Sequence, residues 1–186
     1  MENDTLRQLF RTLNKFIMVP LFRLGLGSLV GNPLTGYIMV IQSVGRKSGR
    51  LRYTPVNYAL MDGYVYCMSG WGTRSDWYRN LAANPRLGVI LPGGSLVGEA
   101  EGVIDPGEWL RATRRLLKNA GLAGFLAGLN PFTASDEEVR QKLQGYPVLR
   151  IHPMGIGSGP ADPGGWFWLL TTALALFWLW KRPRRK

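Results

Sequence analysis

The sequence contains few of the residues from which metal centres, disulfides and catalytic triads are built. Its 186 residues include one cysteine, Cys67, and one histidine, His152. One cysteine excludes an intramolecular disulfide and a cysteine-rich metal site, and a lone histidine excludes a histidine-rich metal site. Cys67 falls within an apolar strand pattern and is interpreted as a core residue, whereas His152 ends a predicted strand and is interpreted as a surface or capping residue. We therefore predict no metal site and no catalytic triad.

Glycine-rich nucleotide motifs are missing as well. Neither G-x-x-x-x-G-K-S/T nor G-x-G-x-x-G occurs, and no recognised nucleic-acid-binding motif is present. Residues 1–4 are acidic and cations interrupt the first apolar stretch, which predicts no secretory signal. Together with the single cysteine, this favours a reducing compartment. We expect no nucleic-acid partner.

Acidic residues are scarce. The chain has 12 Asp and Glu against 23 Lys and Arg, which gives a formal net charge of +11. Much of this charge is concentrated in the last six residues, 181–186. A surplus of this kind suits an anionic ligand or an anionic membrane surface.

Several of the cations are concentrated in one short segment, Gly45–Arg52, which reads Gly-Arg-Lys-Ser-Gly-Arg-Leu-Arg. Residues 37–41 before it and 53–58 after it have strand-like composition, so the segment is predicted to be a hairpin turn. Glycine lets backbone N–H groups approach an anion, lysine supplies a point charge, and arginine supplies a planar fork for phosphate or carboxylate. Considered alone, the turn is either a solvated hairpin tip or an anion-binding turn.

Apolar alternation and turn signals predict short antiparallel strands with helices between them. Strands are expected at residues 36–44, 51–61, 64–69, 86–91, 96–104 and 147–151. Helices are expected at residues 77–83, from Asp105-Pro106 to about Asn119, and from Ser135, which has capping-box spacing with Glu138. Residues 121–134 receive no assignment. This order favours an α+β, mainly β fold, a small antiparallel barrel with peripheral helices, over alternating βαβ units.

The N-terminal region, residues 1–31, contains an apolar stripe with cations mostly off it. The stripe comprises Leu6, Leu9, Phe10, Leu13, Phe16 and Ile17 at helical spacing. Pro20 is expected to end or kink this helix. A basic amphipathic helix can lie on a membrane, but its apolar face can also pack on the core of its own domain, and both alternatives are open.

The C-terminal region differs in composition from the rest. Residues 154–165 are rich in glycine and proline and are predicted to be a linker. Residues 166–186 are predicted to be a hydrophobic, membrane-associated helix with a basic tail, because 166–180 carry no charge and are bracketed by tryptophans. An uncharged helix of this length reaches roughly 22 Å, whereas a hydrocarbon core is about 30 Å thick. A short span, an interfacial helix and a re-entrant segment are therefore all open.

Two further segments indicate a site for an anionic cofactor with a flat ring. Ser69–Thr73 places two glycines around Trp71 directly after a predicted strand, so backbone N–H groups can be exposed beside an aromatic ring. Asp76–Leu81 begins a predicted helix, whose N-terminus favours polar or anionic groups. Because no strong protein acid, base or metal is predicted, any catalysis has to come from a cofactor. Turn chemistry and core packing are the alternative for each segment considered separately.

Together these motifs resemble the deazaflavin (coenzyme F420)-dependent nitroreductase family of split β-barrel flavin and deazaflavin oxidoreductases. The resemblance rests on Gly-Arg-Lys-Ser-Gly, Arg-x-Thr-Pro, Ser-Gly-x-Gly and Trp-Tyr-x-Asn-Leu-x-x-Asn-Pro, in that order. It covers roughly residues 8–153 and implies a split β-barrel over residues 32–153 that binds coenzyme F420.

The resemblance also implies which residues form the site. The phosphate and glutamate tail of the cofactor would be held by Arg46, Lys47 and Ser48, with Gly49 beside them. The path of the cofactor would be lined by Arg52, Tyr53, Thr54, Pro55, Val56 and Asn57. The edge of the deazaflavin ring would be formed by Cys67, Met68, Ser69 and Gly70. The pocket would be closed by Asp76, Trp77, Tyr78, Arg79 and Asn80. The proton would come from solvent or from a side-chain hydroxyl, for which the candidates are Ser69 and Tyr78.

The sequence departs from the family in two places. The loop from Ser69 to Trp77 is shorter than in the best-known members, and residues 121–145 contain no counterpart of the tyrosine-rich substrate segment of the quinone-reducing members. The function expected from the resemblance is hydride transfer from reduced F420 to a lipophilic acceptor, such as a quinone or a nitro compound, at the cytoplasmic face of the cell membrane. A non-catalytic lipid- or cofactor-binding protein and an FMN-dependent oxidase are the alternatives, and a homodimer is left open.

Overall fold

Six antiparallel strands form a closed barrel in the order β1–β2–β3–β6–β5–β4, with β4 pairing back onto β1. The computed structural model describes residues 8, 12–31, 35–157, 172–178 and 181. The strands are β1 Ile38–Val44, β2 Leu51–Met61, β3 Tyr64–Met68, β4 Arg86–Leu91, β5 Gly94–Gly102 and β6 Val148–Ile156. The predicted small antiparallel barrel is confirmed.

Alternation of side chains along the strands fills the barrel. In β1, Met39 and Ile41 are fully buried inside it, while Val40 between them packs outward against the N-terminal helix. β-branched residues are frequent at these positions, as expected for a pleated and buried surface. The interior consists of Met39, Ile41, Val56, Val65, Cys67, Trp77, Leu81, Leu87, Val89, Leu149 and Ile151.

Helices surround the barrel on its outside and at one end. A π-helical turn, Asn14–Met18, continues into α1 Val19–Arg23, and the other helices are α2 Gly27–Val30, α3 Asp76–Ala83, α4 Pro106–Asn119 and α5 Asp136–Leu143. The predicted caps are present. Asp105 accepts a hydrogen bond from the Glu108 N–H, and Ser135 and Glu138 form a capping box. Within the stretch without an assignment, residues Gly121–Ala127 form a 3₁₀ helix.

Helix α3 closes the end of the barrel that carries the basic turn. Trp77 and Leu81 are 8% and 3% exposed and belong to the barrel interior. Pairing of β1 with β2 ends at Val44 opposite Leu51, so the turn between these strands projects beside α3. The hydrophobic contacts of α3 therefore fix its N-terminal residues next to the turn.

An ionic cluster joins β5 and β6 to α4 on the outside of the barrel. Arg150 donates to Glu108 Oε1 at 2.9 Å and to Glu101 Oε1 at 2.7 Å, and the Tyr66 hydroxyl donates to Glu108 at 2.7 Å. His152 Nε2 lies 2.5 Å from Glu101 Oε1. Hydrogen bonds from His152 and Arg150 lower the pKa of Glu101, and burial, with Glu108 beside it, raises the pKa of Tyr66 to about 12. The only histidine thus belongs to an outer structural cluster.

The N-terminal helix uses a different face from the predicted apolar stripe to pack on the barrel. Met18 and Phe22 are 7% and 0% exposed and contact the outer face of β1 and β4. Of the predicted stripe, Leu13, Phe16 and Ile17 are 41%, 66% and 48% exposed. The sequence left open whether this stripe packs on the core or lies on a membrane. For these three residues, packing on the core is wrong. Its other members, Leu6, Leu9 and Phe10, lie outside the described residues.

Strand β6 continues to Ile156, beyond its predicted end at residue 151. Residues 154–156 thus belong to the barrel and not to the linker predicted at 154–165; residues 158–165 lie outside the described residues. Pro153 pairs with Gly98 beside a β-bulge, where a missing N–H is tolerated, so the strand continues through it. A Cβ at Gly98 would lie 2.4 Å from the His152 carbonyl oxygen, so this close approach requires glycine.

Part of the predicted C-terminal helix is described. Residues 172–178 are helical and exposed, whereas 166–171, 179–180 and 182–186 lie outside the described residues. Within the described part of the chain, no helix combines the length and hydrophobicity that a membrane span requires.

Two phenylalanines of the N-terminal helix provide a matched test of this packing. We expect Phe22→Ala to lower the free energy of unfolding by roughly 3–5 kcal/mol, because it leaves a cavity between the helix and the barrel. Phe16→Ala should change it by less than about 0.5 kcal/mol, since that side chain is mostly exposed. Urea unfolding of the two variants checks this expectation, and equal losses would contradict the packing of α1.

Candidate cofactor site

The basic turn has a defined backbone structure. Gly45 N–H donates to the Arg50 carbonyl at 2.9 Å, and Ser48 and Gly49 N–H donate to the Gly45 carbonyl at 3.1 and 2.8 Å. Gly49 has φ +62°, a left-handed conformation that favours glycine, and a Cβ on Gly45 would lie 2.8 Å from Ser48 Oγ. The left-handed conformation thus favours glycine at position 49, and an added Cβ at position 45 would be close to the Ser48 side chain and the Arg50 carbonyl.

Arg46 attaches this turn to helix α3. Its backbone N–H and its guanidinium Nη1 both donate to Asn80 Oδ1, at 3.2 and 3.1 Å. The guanidinium also reaches the Asp76 backbone carbonyl at 3.3 Å and the Asp76 carboxylate at 3.1 Å. Because Asn80 is buried and Arg46 is held by several contacts, Arg46 positions the turn as well as contributing charge.

The exposed cations at the tip are Lys47 and Arg50. Neither forms an ion pair with any residue that the structure describes. Arg52, at the start of β2, donates to Ser48 Oγ at 3.3 Å, which holds the serine hydroxyl beside the turn. The turn therefore presents Lys47 and Arg50 to solvent, with Arg46 and Arg52 as fixed positive charges behind them.

A cleft of about 590 Å³ lies beside this turn. One wall is the first half of β2, the second is the loop that leads into α3, and the third is the N-terminal helix. Among its lining residues one is acidic, Asp76, and two are basic, Lys15 and Arg52. The cleft is lined by Asn14, Lys15, Val19, Leu51, Arg52, Tyr53, Thr54, Pro55, Trp71, Ser75, Asp76 and Trp77.

Six of the predicted cofactor residues line this cleft, and the structure brings the basic turn next to them. The six are Arg52, Tyr53, Thr54, Pro55, Asp76 and Trp77. Three aromatic residues are among the lining residues, but their rings are held differently. Tyr53 packs on the outer face of the barrel with the N-terminal helix, Trp77 belongs to the barrel interior, and Trp71 of the loop is 39% exposed. Trp71 is therefore the ring on which a flat ligand can stack, with anionic groups directed to the turn.

Three predicted site residues are instead part of the protein core. Val56 and Cys67 lie inside the barrel, and burial raises the pKa of the Cys67 thiol to about 12, so it is neutral and inert. Met68 packs on the outside between the barrel, α4 and α5. Strand alternation explains this result, because residues at the end of β3 face either the barrel interior or the outer helices.

Ser69, a predicted proton donor, is committed to the structure of its loop. Its side chain is fully buried, and its Oγ donates to the Gly72 carbonyl at 2.7 Å. Because a hydroxyl has one proton, the Ser75 hydroxyl at 2.7 Å donates to Ser69 in turn. This replaces the predicted role of Ser69 in proton transfer with a structural one. Gly70, next to it, is exposed, with no atom within 4 Å of an added Cβ.

The remaining predicted residues support the site from outside the cleft. Asn57 donates to the carbonyls of Tyr37 and Asn119 at 2.9 and 2.8 Å, which ties β2 to the end of α4. Arg79 donates to the Thr73 carbonyl at 3.0 Å and so holds the loop. Tyr78, the other proton-donor candidate, is half-buried and packs edge-on against Trp77. None of these three residues lines the cleft.

The N-terminal helix supplies cleft residues that were not predicted. Asn14, Lys15 and Val19 form one wall, and nothing in their local sequence distinguishes them from other helix positions. Only the packing of Met18 and Phe22 on the barrel brings them beside β2. Trp71 was noted in the sequence for its flanking glycines but was not included among the site residues.

The residues present fit an anionic cofactor with a flat ring. Exposed cations and the open backbone at Gly49, where an added Cβ meets no atom within 4 Å, suit a phosphate and carboxylate tail. The adjoining cleft is of a size typical for small-molecule sites and has aromatic walls.

Comparisons with known proteins identify one family and several structures. The F420H(2)-dependent quinone reductase family matches residues 20–119, more than half of the chain. A conserved hypothetical protein from Mycobacterium tuberculosis is 20% identical, covering 64% of this chain and 74% of that one, with a TM-score of 0.49. An F420-H2 dependent reductase is 21% identical, covering 62% and 93%, with a TM-score of 0.42. The heme storage protein HutZ from Vibrio cholerae is 12% identical, covering 73% and 87%, with a TM-score of 0.47. No curated protein matches the sequence.

The role of Ser69 can be tested by removing its hydroxyl. We expect Ser69→Ala to lower the free energy of unfolding by about 1–3 kcal/mol. The buried Ser75 hydroxyl loses its partner, and the Gly72 carbonyl keeps only the long hydrogen bond from the Ser75 N–H at 3.5 Å. Ser48→Ala, at the exposed turn, is the control and should cost less than about 1 kcal/mol. Denaturant unfolding measures both, and a fully stable Ser69→Ala variant would contradict the structural role.

Proposed function

This chain belongs to the F420H(2)-dependent quinone reductase family, and we propose that it transfers a hydride from reduced coenzyme F420 to a lipophilic, quinone-type acceptor. The observation that carries this proposal is the adjacency of the basic turn at Lys47 and Arg50 to an aromatic-walled cleft of about 590 Å³. The family makes coenzyme F420 the cofactor and the protein an oxidoreductase. The acceptor, the membrane location and the residue roles are part of the proposal.

The protein contributes binding and orientation. When bound, reduced F420 supplies the hydride, since no side chain of the cleft can do so. Lys47 and Arg50 would bind the anionic tail, and Arg46, fixed on Asn80, would keep the turn at a constant distance from the cleft. Trp71 would stack on the ring, and the other residues of the cleft would limit its contact with water, so that the reacting atoms stay aligned.

The proton that accompanies the hydride is proposed to come from solvent at the open side of the cleft. Reduction of a carbonyl acceptor by a hydride places negative charge on oxygen, which then takes up a proton. The Ser69 hydroxyl donates its only proton to the Gly72 carbonyl, so it has none to give to an acceptor. Tyr78 does not line the cleft. Lys15 and Arg52 are the cations that line the cleft, and they would stabilise the developing negative charge.

A lipophilic acceptor suits the surroundings of the cleft. The N-terminal helix that forms one wall exposes Phe16 and Ile17, and residues 173–178 are apolar and exposed. We propose that the protein acts at the cytoplasmic face of the cell membrane, where quinones are available. A nitro compound is the second acceptor class to test, because hydride transfer to it needs the same stacking of two flat molecules.

The turn can be tested by removing the two exposed cations. We expect Lys47→Ala with Arg50→Ala to weaken F420 binding at least tenfold and to reduce its dependence on salt, because charge-assisted contacts to the tail are lost. The matched control is Arg111→Ala with Lys118→Ala, two exposed cations of α4, which should bind F420 normally. Fluorescence titration of the full chain at low and high salt measures both. Unchanged affinity in the first variant would contradict the assignment, and tighter binding of FMN than of F420 would favour the flavin alternative.

Turnover separates an enzyme from a binding protein. We expect the full chain to catalyse steady-state oxidation of reduced F420 by a menaquinone analogue, recorded by the return of the absorbance of oxidised F420. A nitro compound should be compared at the same concentration. Tight F420 binding without turnover by either acceptor would leave cofactor binding as the function.

A further inference from the structure

The N-terminal helix has two apolar faces, and the barrel covers one of them. Met18 and Phe22 face the barrel and are 7% and 0% exposed. Leu13, Phe16, Ile17 and Leu24, which we call the outer face, are 41%, 66%, 48% and 57% exposed. A solvated helix normally places polar residues on the side away from the core. Exposed apolar side chains grouped on that side indicate an interaction surface.

We propose that the outer face docks on an anionic lipid bilayer. The helix would lie in the plane of the interface, with Phe16 and Ile17 inserted among the acyl chains and the barrel above them. This is separate from any attachment through residues 166–186.

Charge complementarity favours anionic lipid over another protein surface. Residues 5–61 contain no aspartate or glutamate, so this third of the chain offers no negative charge. Lys15 and Arg23 are exposed beside the outer face, and Arg23 is held over the Tyr53 ring at 5.2 Å. The basic turn lies on the neighbouring hairpin of the same barrel wall. A second copy of this chain would bring the same positive charges together, which disfavours self-association through this face.

Docking would also place the cleft at the bilayer. The helix that exposes Phe16 and Ile17 is the helix whose Asn14, Lys15 and Val19 line the cleft. A lipophilic acceptor could then pass from the acyl region into the cleft without crossing water. This consequence rests on the proposed function, whereas the docking itself does not.

The first experiment compares vesicle binding of two matched double variants of the full chain. Phe16→Ser with Ile17→Ser removes two of the four exposed apolar groups of the outer face. Ile104→Ser with Ile156→Ser removes two apolar groups that are each 93% exposed elsewhere on the barrel. Vesicles of phosphatidylcholine with and without phosphatidylglycerol are pelleted, and the bound fraction is measured. We expect the first variant to partition about tenfold more weakly than wild type onto anionic vesicles and the control variant to match wild type.

A second experiment locates the inserted residues directly. Cys67 is fully buried, so a cysteine introduced by Ile17→Cys can be labelled selectively with an environment-sensitive dye. The dye should shift to shorter wavelength on anionic vesicles, whereas the same dye on Ile104→Cys should not shift.

Several results would overturn the proposal. Equal binding by wild type and Phe16→Ser with Ile17→Ser, with no dye shift at position 17, would assign attachment to the C-terminal region. A dye shift that appears with rising protein concentration and without vesicles would identify a second copy as the occupant. The Phe16→Ser with Ile17→Ser variant should oxidise reduced F420 with a water-soluble acceptor at the wild-type rate. Loss of vesicle binding with this activity kept would support docking, whereas absence of the activity in wild type as well would contradict the enzymatic proposal alone.

Discussion

The candidate site depends on the contact between Arg46 and Asn80. Asn80 is buried at the edge of the helix that closes the barrel, and its side-chain oxygen accepts hydrogen bonds from both the backbone and the guanidinium of Arg46. Trp77 and Leu81 fix the helix in the barrel interior. Because Arg46 is hydrogen-bonded to this helix, the turn is held in place by the packing of the core. A segment with this many positive charges would otherwise be held only by its hairpin hydrogen bonds.

The charges that stabilise the fold and the charges that are available to a ligand lie in different parts of the structure. The outer cluster around Arg150 pairs its cations with Glu101 and Glu108, and so stabilises the packing of α4 on the barrel. On the opposite part of the chain, residues 5–61 contain no acidic side chain, and Lys47 and Arg50 stay without an ion pair among the described residues. Unpaired, solvated cations of this kind cost little in stability and remain available to an anionic ligand.

Much of the secondary structure could be predicted because its signals are local. The alternation in β1, the Asp105 cap and the capping box of Ser135 and Glu138 each depend on residues a few positions apart. The end of β6 was missed because the bulge at Gly98 makes Pro153 acceptable, and a bulge depends on the partner strand. The strand pattern correctly predicted Cys67 to be a core residue, whereas the ring-edge position that the resemblance implied for it, and the role of Ser69, depend on the tertiary structure. Burial and hydrogen-bond partners are set by the loop and the barrel, and a motif cannot show which atoms are left free.

The sequence by itself determined the barrel, the basic turn, the kind of ligand that the turn suits and the family. These follow from periodicity, turn chemistry and charge, which act over short stretches of chain. Only the tertiary structure decided which predicted residues share the cleft, that Arg46 is held by α3, and that the N-terminal helix forms the third wall. It also decided which apolar face of that helix is buried. Met18 and Phe22 pack against Val40 and Ile90 of the barrel, so the face that carries them is buried and Phe16 and Ile17 are left exposed.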